Sequence, residues 1–559
     1  MSLSTVPNST SEAGPQVDVE SSRAWWQQAV VYQIYPRSFA DSNADGIGDL
    51  RGIVSRIDYL TKLGIDAVWL SPFYPSGWAD GGYDVADYRN VDPRFGTLED
   101  FDLLVQSLHA VGIRIMVDLV PNHSSRLHPW FVEALAAGPG SPERDRYIFR
   151  DGRGVDGSLP PNDWPSHWGP QGWTRVEDGQ WYLHFFSPDQ PDFNWDNAEV
   201  RQEFEHTIRF WADRGVDGFR VDVAHGLVKD MSEPYQHFTS FSPLLTPTDG
   251  SHPLFDRDDV HEIYRGWRAI FEAYDPPRMA VAEAAVPAER IPLYASSDGL
   301  NQAFNFDLLF TEWSAAEFRT AISTNLDIAS SSGSPSTWVL SNHDCVRHAS
   351  RYALPPGTDR NAWLLASGRE PSEDRSTGQS RARAAIMLLL ALPGSAYLYQ
   401  GEELGLFEVA NLDVATLLDP VWTRTLHTEK GRDGCRVPLP WRAATDNFGF
   451  SAGASPLHQP GWFADFAVDA QEADQSSTLA LYRAAISLRK QLQGRDVLAW
   501  VDTADEDVLH FTRPGGWQSI TNFGSSPVPL PVGKVLLSSG PLLDGLLPAD
   551  TTAWLTSTA

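Results

Sequence analysis

Arg220 and Asp222 stand two residues apart in Gly218-Phe219-Arg220-Val221-Asp222-Val223, a run whose other side chains are glycine or apolar. Read as a short buried strand, its period of two puts both charged side chains on one face. A guanidinium beside a carboxylate holds each group charged, and for an isolated R-x-D a structural ion pair is the plain reading. The constraint on this chain is that the pattern recurs. Residues 113–120 (IRIMVDLV) carry Asp118 and lead to Asn122 and His123. Residues 279–284 (MAVAEA) carry Glu283. Residues 338–341 run into Asn342-His343-Asp344, and 396–400 run into Glu402 and Glu403. Strand-like runs also lie at 29–35 and 67–70, with helical spacing between strands, as in Ile53, Ile57, Leu60 and Leu63. Eight such units predict an α/β fold, a closed (β/α)8 barrel in which reactive groups sit where strands end. A doubly wound open sheet is the alternative, but no G-x-G-x-x-G follows the first strand.

The rest of the chain is read around that barrel. A length of 559 residues exceeds one simple core, so accessory parts are expected. Residues 1–22, rich in Ser, Pro and acids, read as a disordered leader. The first part of the barrel covers 23–123. Residues 124–196, Gly-, Pro-, Asp- and Trp-rich and weakly periodic over 138–192, read as a loop-heavy subdomain inserted after strand 3. The barrel resumes over 197–489, with 355–383 polar and irregular and a buried helix beginning at Ala384. Residues 490–559 read as a small antiparallel β domain. A net charge of −30 argues against nucleic acid or an anionic membrane as partner, and the longest apolar run is too short to span a bilayer. Only two cysteines, Cys345 and Cys435, favour a reducing, cytoplasmic setting. Oligomeric state, monomer or dimer, stays open.

Two groups of residues carry chemistry. Asp41, Asn43, Asp45, the carbonyl of Ile47 and Asp49 place oxygens at alternate positions about a turning Gly46, as in a loop for a hard cation. The twelfth position is Gly52, so no glutamate closes an EF-hand, and an Asx-rich turn before a helix fits the spacing equally well. The strand-end carboxylates suggest glycoside cleavage. One must attack ionised, which suits Asp222 if Arg220 lowers its pKa. Another must arrive protonated, which suits Glu283 in its apolar strand. Asp344, with His343, is placed to bind ring hydroxyls.

With Asp118-Leu-Val-Pro-Asn122-His123, Gly218-Phe-Arg220-Val-Asp222, Glu283 and Asn342-His343-Asp344 in this order, the chain resembles the α-amylase family of retaining glycoside hydrolases. Gln190-Pro191-Asp192-Phe193-Asn194 is similar to the motif of its α-glucosidase and oligo-1,6-glucosidase branch. The resemblance runs from about Trp25 to Arg489. It implies Asp222 as nucleophile, Glu283 as acid/base and Asp344 as transition-state stabiliser. It implies Arg220, His123 and His343 as contacts in a glucose pocket, Asp80 as a hydrogen-bonding acid and Tyr83 as a stacking aromatic there. Arg436 resembles a late arginine that, paired with an acid, closes the pocket. Asp41, Asn43, Asp45, Ile47 and Asp49 match the family's metal loop, which implies Ca²⁺ or Mg²⁺. A pocket closed at one end implies removal of single glucose units from the non-reducing end of small-molecule α-glucosides.

Linkage is less constrained. Val223 resembles the α-1,6-preferring members. The block Val223-Ala224-His225-Gly226, with 253–258 and the Cys435 motif, resembles bacterial α-glucosidases acting on maltose-type bonds, which is the reading preferred here. An oligo-1,6-glucosidase, or a sucrose-cleaving or glucosyl-transferring relative, is the alternative. A barrel that has lost catalysis and serves as a binding module is the reading from another class.

Overall fold

The computed structural model describes residues 24–238, 247–455 and 457–556, so the leader expected over 1–22 lies outside the described residues. Eight parallel strands form the central sheet: β1 (Val30–Ile34), β2 (Ala67–Leu70), β3 (Arg114–Leu119), β4 (Gly218–Val221), β5 (Met279–Ala282), β6 (Asn301–Ala303), β7 (Thr337–Val339) and β8 (Ser395–Tyr399). Their order is β7-β8-β1-β2-β3-β4-β5-β6. The ring is nearly closed. At the seam, where the ladder order ends, Thr337 Oγ1 of β7 donates to the Ala303 carbonyl of β6 at 2.6 Å.

Alternation explains why the strands are apolar throughout. Val30, Tyr32 and Ile34 of β1 pack outward into the large cluster shared with the helices. Val31 points inward, with Trp69, Met116, Met279, Val281 and Tyr397. The barrel is thus filled by side chains rather than hollow. Gly218 makes room for two of them: a Cβ there would lie 2.8 Å from Met279 Sδ and 3.2 Å from Met116 Cγ.

Register then sets the chemistry. Asp118 of β3 is the ladder partner of Arg220 on β4, and Arg220 is the partner of Val281 on β5. The strand expected through Val223 ends at Val221. Asp222 and Glu283 are each the first residue past a strand end, in backbone held by Asp222 N to Leu119 O and Glu283 N to Val221 O, both 2.9 Å.

Between β3 and β4 the chain forms a helix (Pro129–Ala137) and a three-stranded antiparallel sheet of 149–151, 173–175 and 180–183. The return segment docks on the end of β3 through the bridge His123↔Asp192. A helix over Leu98–Ala110 opens with the capping box expected from Thr97 and Asp100. Two helices occupy the stretch read as irregular: one over Arg360–Leu365, and one that begins at Arg375, not Ala384, and runs to Ala391. Asp374 caps the second through Thr377 N, and Gly378 lets it approach Ala349 and Ala353 of the helix His348–Ala353, while Gln379 and other polar side chains on its outer face hide its period. The C-terminal part is the expected antiparallel sheet, of strands 499–500, 508–513, 517–522, 551–556 and 535–538 in that order. Trp554 Nε1 and Thr552 Oγ1 tie it to the carbonyls of Met387 and Ala384 on that same helix. No helix among the described residues is long and apolar enough to cross a membrane.

Candidate active site

Arg220 is the centre of the site. Its side chain, 2% exposed, ion-pairs with three carboxylates: Asp118 Oδ1 at 2.8 Å, Asp222 Oδ1 at 2.6 Å and Glu283 Oε1 at 2.8 Å. Neighbouring strand ends supply all three. The expectation that Arg220 would hold Asp222 below the usual carboxylate range is corrected by this geometry. Burial pushes the Asp222 pKa up; Arg220 opposes it, but Glu283 and Asp118 add to the rise. Asp118 is likewise pushed up by burial, to about 6, against Arg220. One guanidinium shared among three buried carboxylates does not neutralise them all, so Asp222 keeps its proton more readily than an exposed aspartate does.

Val223, next in the chain, adopts φ 45°. A β-branched residue there is strained, and strain of this kind collects at functional sites. Here the turn aims the Val223 amide at Glu283 Oε2, 3.0 Å away. Glu283 is therefore fixed by Arg220 on one oxygen and by Val223 on the other, with its side chain 24% exposed.

Asp344 sits across from this group. Oδ1 accepts from Arg432 Nη1 at 2.9 Å and Arg436 Nη2 at 2.8 Å, and Oδ2 lies 3.2 Å from His343 Nε2. Burial would raise its pKa, but the charges around it hold it well below the carboxylate range. The arginines supply that effect, because burial pushes His343 down to about 3 and leaves it neutral near pH 7. Tyr83 stacks on His343 with centroids 5.3 Å apart, and its hydroxyl reaches His343 Nε2 at 2.5 Å and Asp118 Oδ2 at 3.1 Å. His123, pushed down to about 3 by burial, lies 3.2 Å from Gln190 Nε2 and from the Tyr83 carbonyl.

Asp222, Glu283, Asp344, Asp80, Tyr83 and His123 line one cavity of ≈ 430 Å³, together with Trp168, Phe186 and Arg432. Arg220 and His343 do not line it but contact Asp222 and Tyr83, which do. A larger cavity of ≈ 1020 Å³ between the helix Arg375–Ala391 and the C-terminal sheet holds none of these residues. The arginine that closes the pocket is a second correction. Arg432, not Arg436, reaches Asp80, with Nη2 to Oδ1 at 2.7 Å. Arg436 lies deeper, donating to the His343 carbonyl at 2.8 Å and to Asp344. Burial pushes Asp80 up to about 6 against the pull of Arg432. Gln190 Nε2 donates to its other oxygen at 3.1 Å. Arg432 is itself held by Asp419, Nε to Oδ2 at 2.7 Å. Arg432 was legible in the same Gly431–Arg436 block; Asp419, in an irregular stretch, carried no signal.

The loop 41–49 stands apart from this cavity. Asp41 Oδ1 accepts from the amides of Asn43 and Ala44, and Oδ2 from Gly46 N and Ser451 Oγ. Asn43 and Asp45 each accept from the amide two residues on, and Asp49 caps the helix Leu50–Val54 through Gly52 N. The donors are all oxygens, as Ca²⁺ and Mg²⁺ require. Among the described residues, however, no three carboxylate, imidazole or thiol groups are gathered to hold a metal. Cys345 and Cys435 are both free thiols, half-buried and buried.

The family described as alpha amylase, catalytic domain, matches residues 33–495. A probable alpha-glucosidase of Rhizobium meliloti (strain 1021) is 38% identical over 490 residues, 84% of each chain. An oligo-1,6-glucosidase of Parageobacillus thermoglucosidasius is 34% identical over 545 residues, 90% of this chain and 91% of the other. The crystal structure of an alpha-glucosyl transfer enzyme, XgtA, aligns with a TM-score of 0.82 and 34% identity, covering 96% of this chain and all of that one.

Proposed function

The chain belongs to the α-amylase family of glycoside hydrolases, and from that premise we propose that it is a retaining, exo-acting α-glucosidase. It releases glucose from the non-reducing end of short α-glucosides, with maltose-type α-1,4 bonds favoured. The observation that carries this reading is that Asp222 and Glu283 grip one guanidinium and line one cavity. Two carboxyls drawn to one guanidinium are held near each other, which supports the closely spaced pair of a retaining enzyme.

In this reading Asp222 attacks the anomeric carbon while Glu283 gives its proton to the departing oxygen. The resulting glucosyl ester on Asp222 is opened by water, whose proton returns to Glu283. Asp344, kept ionised by Arg432 and Arg436, binds ring hydroxyls and stabilises the cationic transition state. Asp80 and Arg432 bound the far end of the pocket, so no second sugar extends beyond the cleaved unit. Two free thiols support a cytoplasmic setting.

The test is product analysis on maltotetraose. The expected products are glucose, seen first as the α-anomer by proton NMR, and maltotriose. First appearance of the β-anomer, or maltose as the main early product, overturns the reading. Arg432→Ala opens the closed end and misplaces Asp344, and should cost about 10²-fold in kcat/KM on maltose.

The active protonation state has Asp222 ionised and the acid carrying its proton. Because Asp222 is raised, activity is lost as pH falls through a value above the ordinary ~3.9 of aspartate. A kcat/KM profile on 4-nitrophenyl α-glucoside should be bell-shaped with its acid limb above that value, the two limbs belonging to the pair. An acid limb at or below it contradicts the assignment.

The loop 41–49 is proposed to hold Ca²⁺ or Mg²⁺ in a structural role, supported by its oxygen-only donors and by family membership. Saturating Ca²⁺ should raise the melting temperature by roughly 2 °C or more over an EDTA-treated sample, and Asp45→Ala should abolish the difference. Equal melting of the native chain in Ca²⁺, Mg²⁺ and EDTA rules this out.

A further inference from the structure

Asp344 does not hold its own place. It stands in the loop after β7, and the two arginines that pair with it come from another segment, 431–436. Neither segment belongs to a strand of the barrel. A working carboxylate has to stay within about 0.5 Å of its productive position, so side chains on loops need support from outside.

Arg347 is placed to give that support. It is buried and does not line the catalytic cavity. Its Nη2 donates to the Cys435 carbonyl at 2.8 Å, and its Nη1 to the carbonyl of Gln400, the first residue past β8, at 2.9 Å. The guanidinium carbon lies 4.9 Å from the Tyr399 ring centroid, and the Tyr399 hydroxyl donates to the same Cys435 carbonyl at 3.0 Å. The main-chain amide of Arg347 donates to Glu408 Oε2 at 3.0 Å. Two glycines make room: a Cβ on Gly401 would lie 3.0 Å from Arg347 Nη1, and one on Gly434 2.3 Å from Glu408 Oε1. These contacts close into a ring. Cys435 lies between Arg432 and Arg436 in the chain, and Arg347 follows Asp344 in the same loop. The bond from Arg347 to Cys435 and the pairs from Asp344 to Arg432 and Arg436 thus fasten the same two segments twice. Arg436 Nε and Cys435 Sγ add to this at the His343 carbonyl, at 2.8 and 3.4 Å. A rigid fork of donors can span two carbonyls on separate segments; a lysine ammonium is a single point.

We propose that Arg347 is a positioning residue for Asp344: by pinning the Cys435 carbonyl to the end of β8, it keeps Arg432 and Arg436 where they hold the Asp344 carboxylate toward the glucose ring. The inference rests on the role given to Asp344 above. Without Arg347 the segment 431–436 is free to shift against the loop of Asp344, and a displacement on the order of 1 Å at a reacting centre costs about 10²-fold in rate.

The test measures kcat and KM on 4-nitrophenyl α-glucoside for the full-length parent, Arg347→Met, Asp344→Asn and the double variant. Arg347→Met should lower kcat about 10²-fold and move KM by less than about 5-fold, as for an interaction strongest in the transition state. Asp344→Asn should lower kcat about 10³-fold. Because the two residues act as one unit, the double variant should lie within about 3-fold of Asp344→Asn alone. An arginine that serves stability only gives losses that multiply, and that result overturns the proposal. So does an Arg347→Met variant within about 3-fold of the parent, or one with a raised KM and an unchanged kcat. Arg347→Lys keeps the buried charge and reaches one carbonyl of the two, so it should recover about 5-fold of the lost kcat. It takes the place of Arg347→Met in the cycle if that variant does not fold. Asp344→Asn with more than about a tenth of the parent kcat defeats the role given to Asp344, and a parent that releases no nitrophenol defeats the glucosidase reading. The proposal falls with either.

Discussion

Replacing Asp222 with asparagine should lower turnover of 4-nitrophenyl α-glucoside on the order of 10⁴-fold or more, without lowering the melting temperature. The loss follows from bonding. An amide oxygen accepts from Arg220 Nη1 as the carboxylate does, so the side chain stays placed, but it cannot form the glucosyl ester. The stability half of the prediction follows from linkage. Burial raises the Asp222 pKa above its unfolded value. Such an acid binds its proton more tightly folded than unfolded, so stability falls as pH rises from the unfolded pKa to the folded one. At pH 7 the ionised Asp222 is thus a cost, and a neutral isostere lacks it. Arg220 keeps Asp118 and Glu283 as partners, so no buried charge is orphaned. Circular dichroism melts and kcat on one preparation decide both halves. A variant within 10-fold of the parent removes Asp222 as nucleophile; a variant that melts clearly lower removes the account of its charge.

Some of this was legible in the chain because it is local. Alternation in AVVYQIY and IRIMVDLV sets inward and outward faces within five or six residues, and Thr97 with Asp100 writes its own helix start. The position of acids at strand ends is local too. The protonation of Asp222 is not. It depends on Asp118, 102 residues before Arg220, sharing the same guanidinium, so pairing Arg220 with its near neighbour alone gave the wrong sign. The exchange of Arg432 for Arg436 has the same origin. Both lie in one six-residue segment, and only the path of the chain past Asp419 determines which of them reaches Asp80. The left-handed turn at Val223 has no sequence signature at all, since valine is among the residues least suited to it. It is the hydrogen bond to Glu283, a contact across two strand ends, that gives the turn its use.

Glu283→Gln should separate the two halves of the catalytic cycle. On maltose, whose leaving sugar needs a proton, kcat should fall about 10³-fold, within the range for loss of a general acid. On 4-nitrophenyl α-glucoside the leaving phenolate needs none, so formation of the glucosyl ester should be much less affected. Opening of the ester still needs a base to take the proton of water, and the glutamine cannot supply one. The expected trace is a burst of nitrophenol followed by a slow steady rate. Azide, already an anion, needs no base and should restore the steady rate, giving α-glucosyl azide as the product. Geometry bears on the size of the effect. Both oxygens of Glu283 face donors, Arg220 Nη2 and Val223 N, so the new amide NH₂ must turn against one of them. Some of the loss on maltose is therefore displacement rather than lost proton transfer, and azide cannot repair that part. Rescue on the nitrophenyl substrate with none on maltose, where the first step is itself blocked, assigns the proton to Glu283. Equal losses on both substrates with no response to azide would place the proton elsewhere and leave Glu283 a structural partner of Arg220.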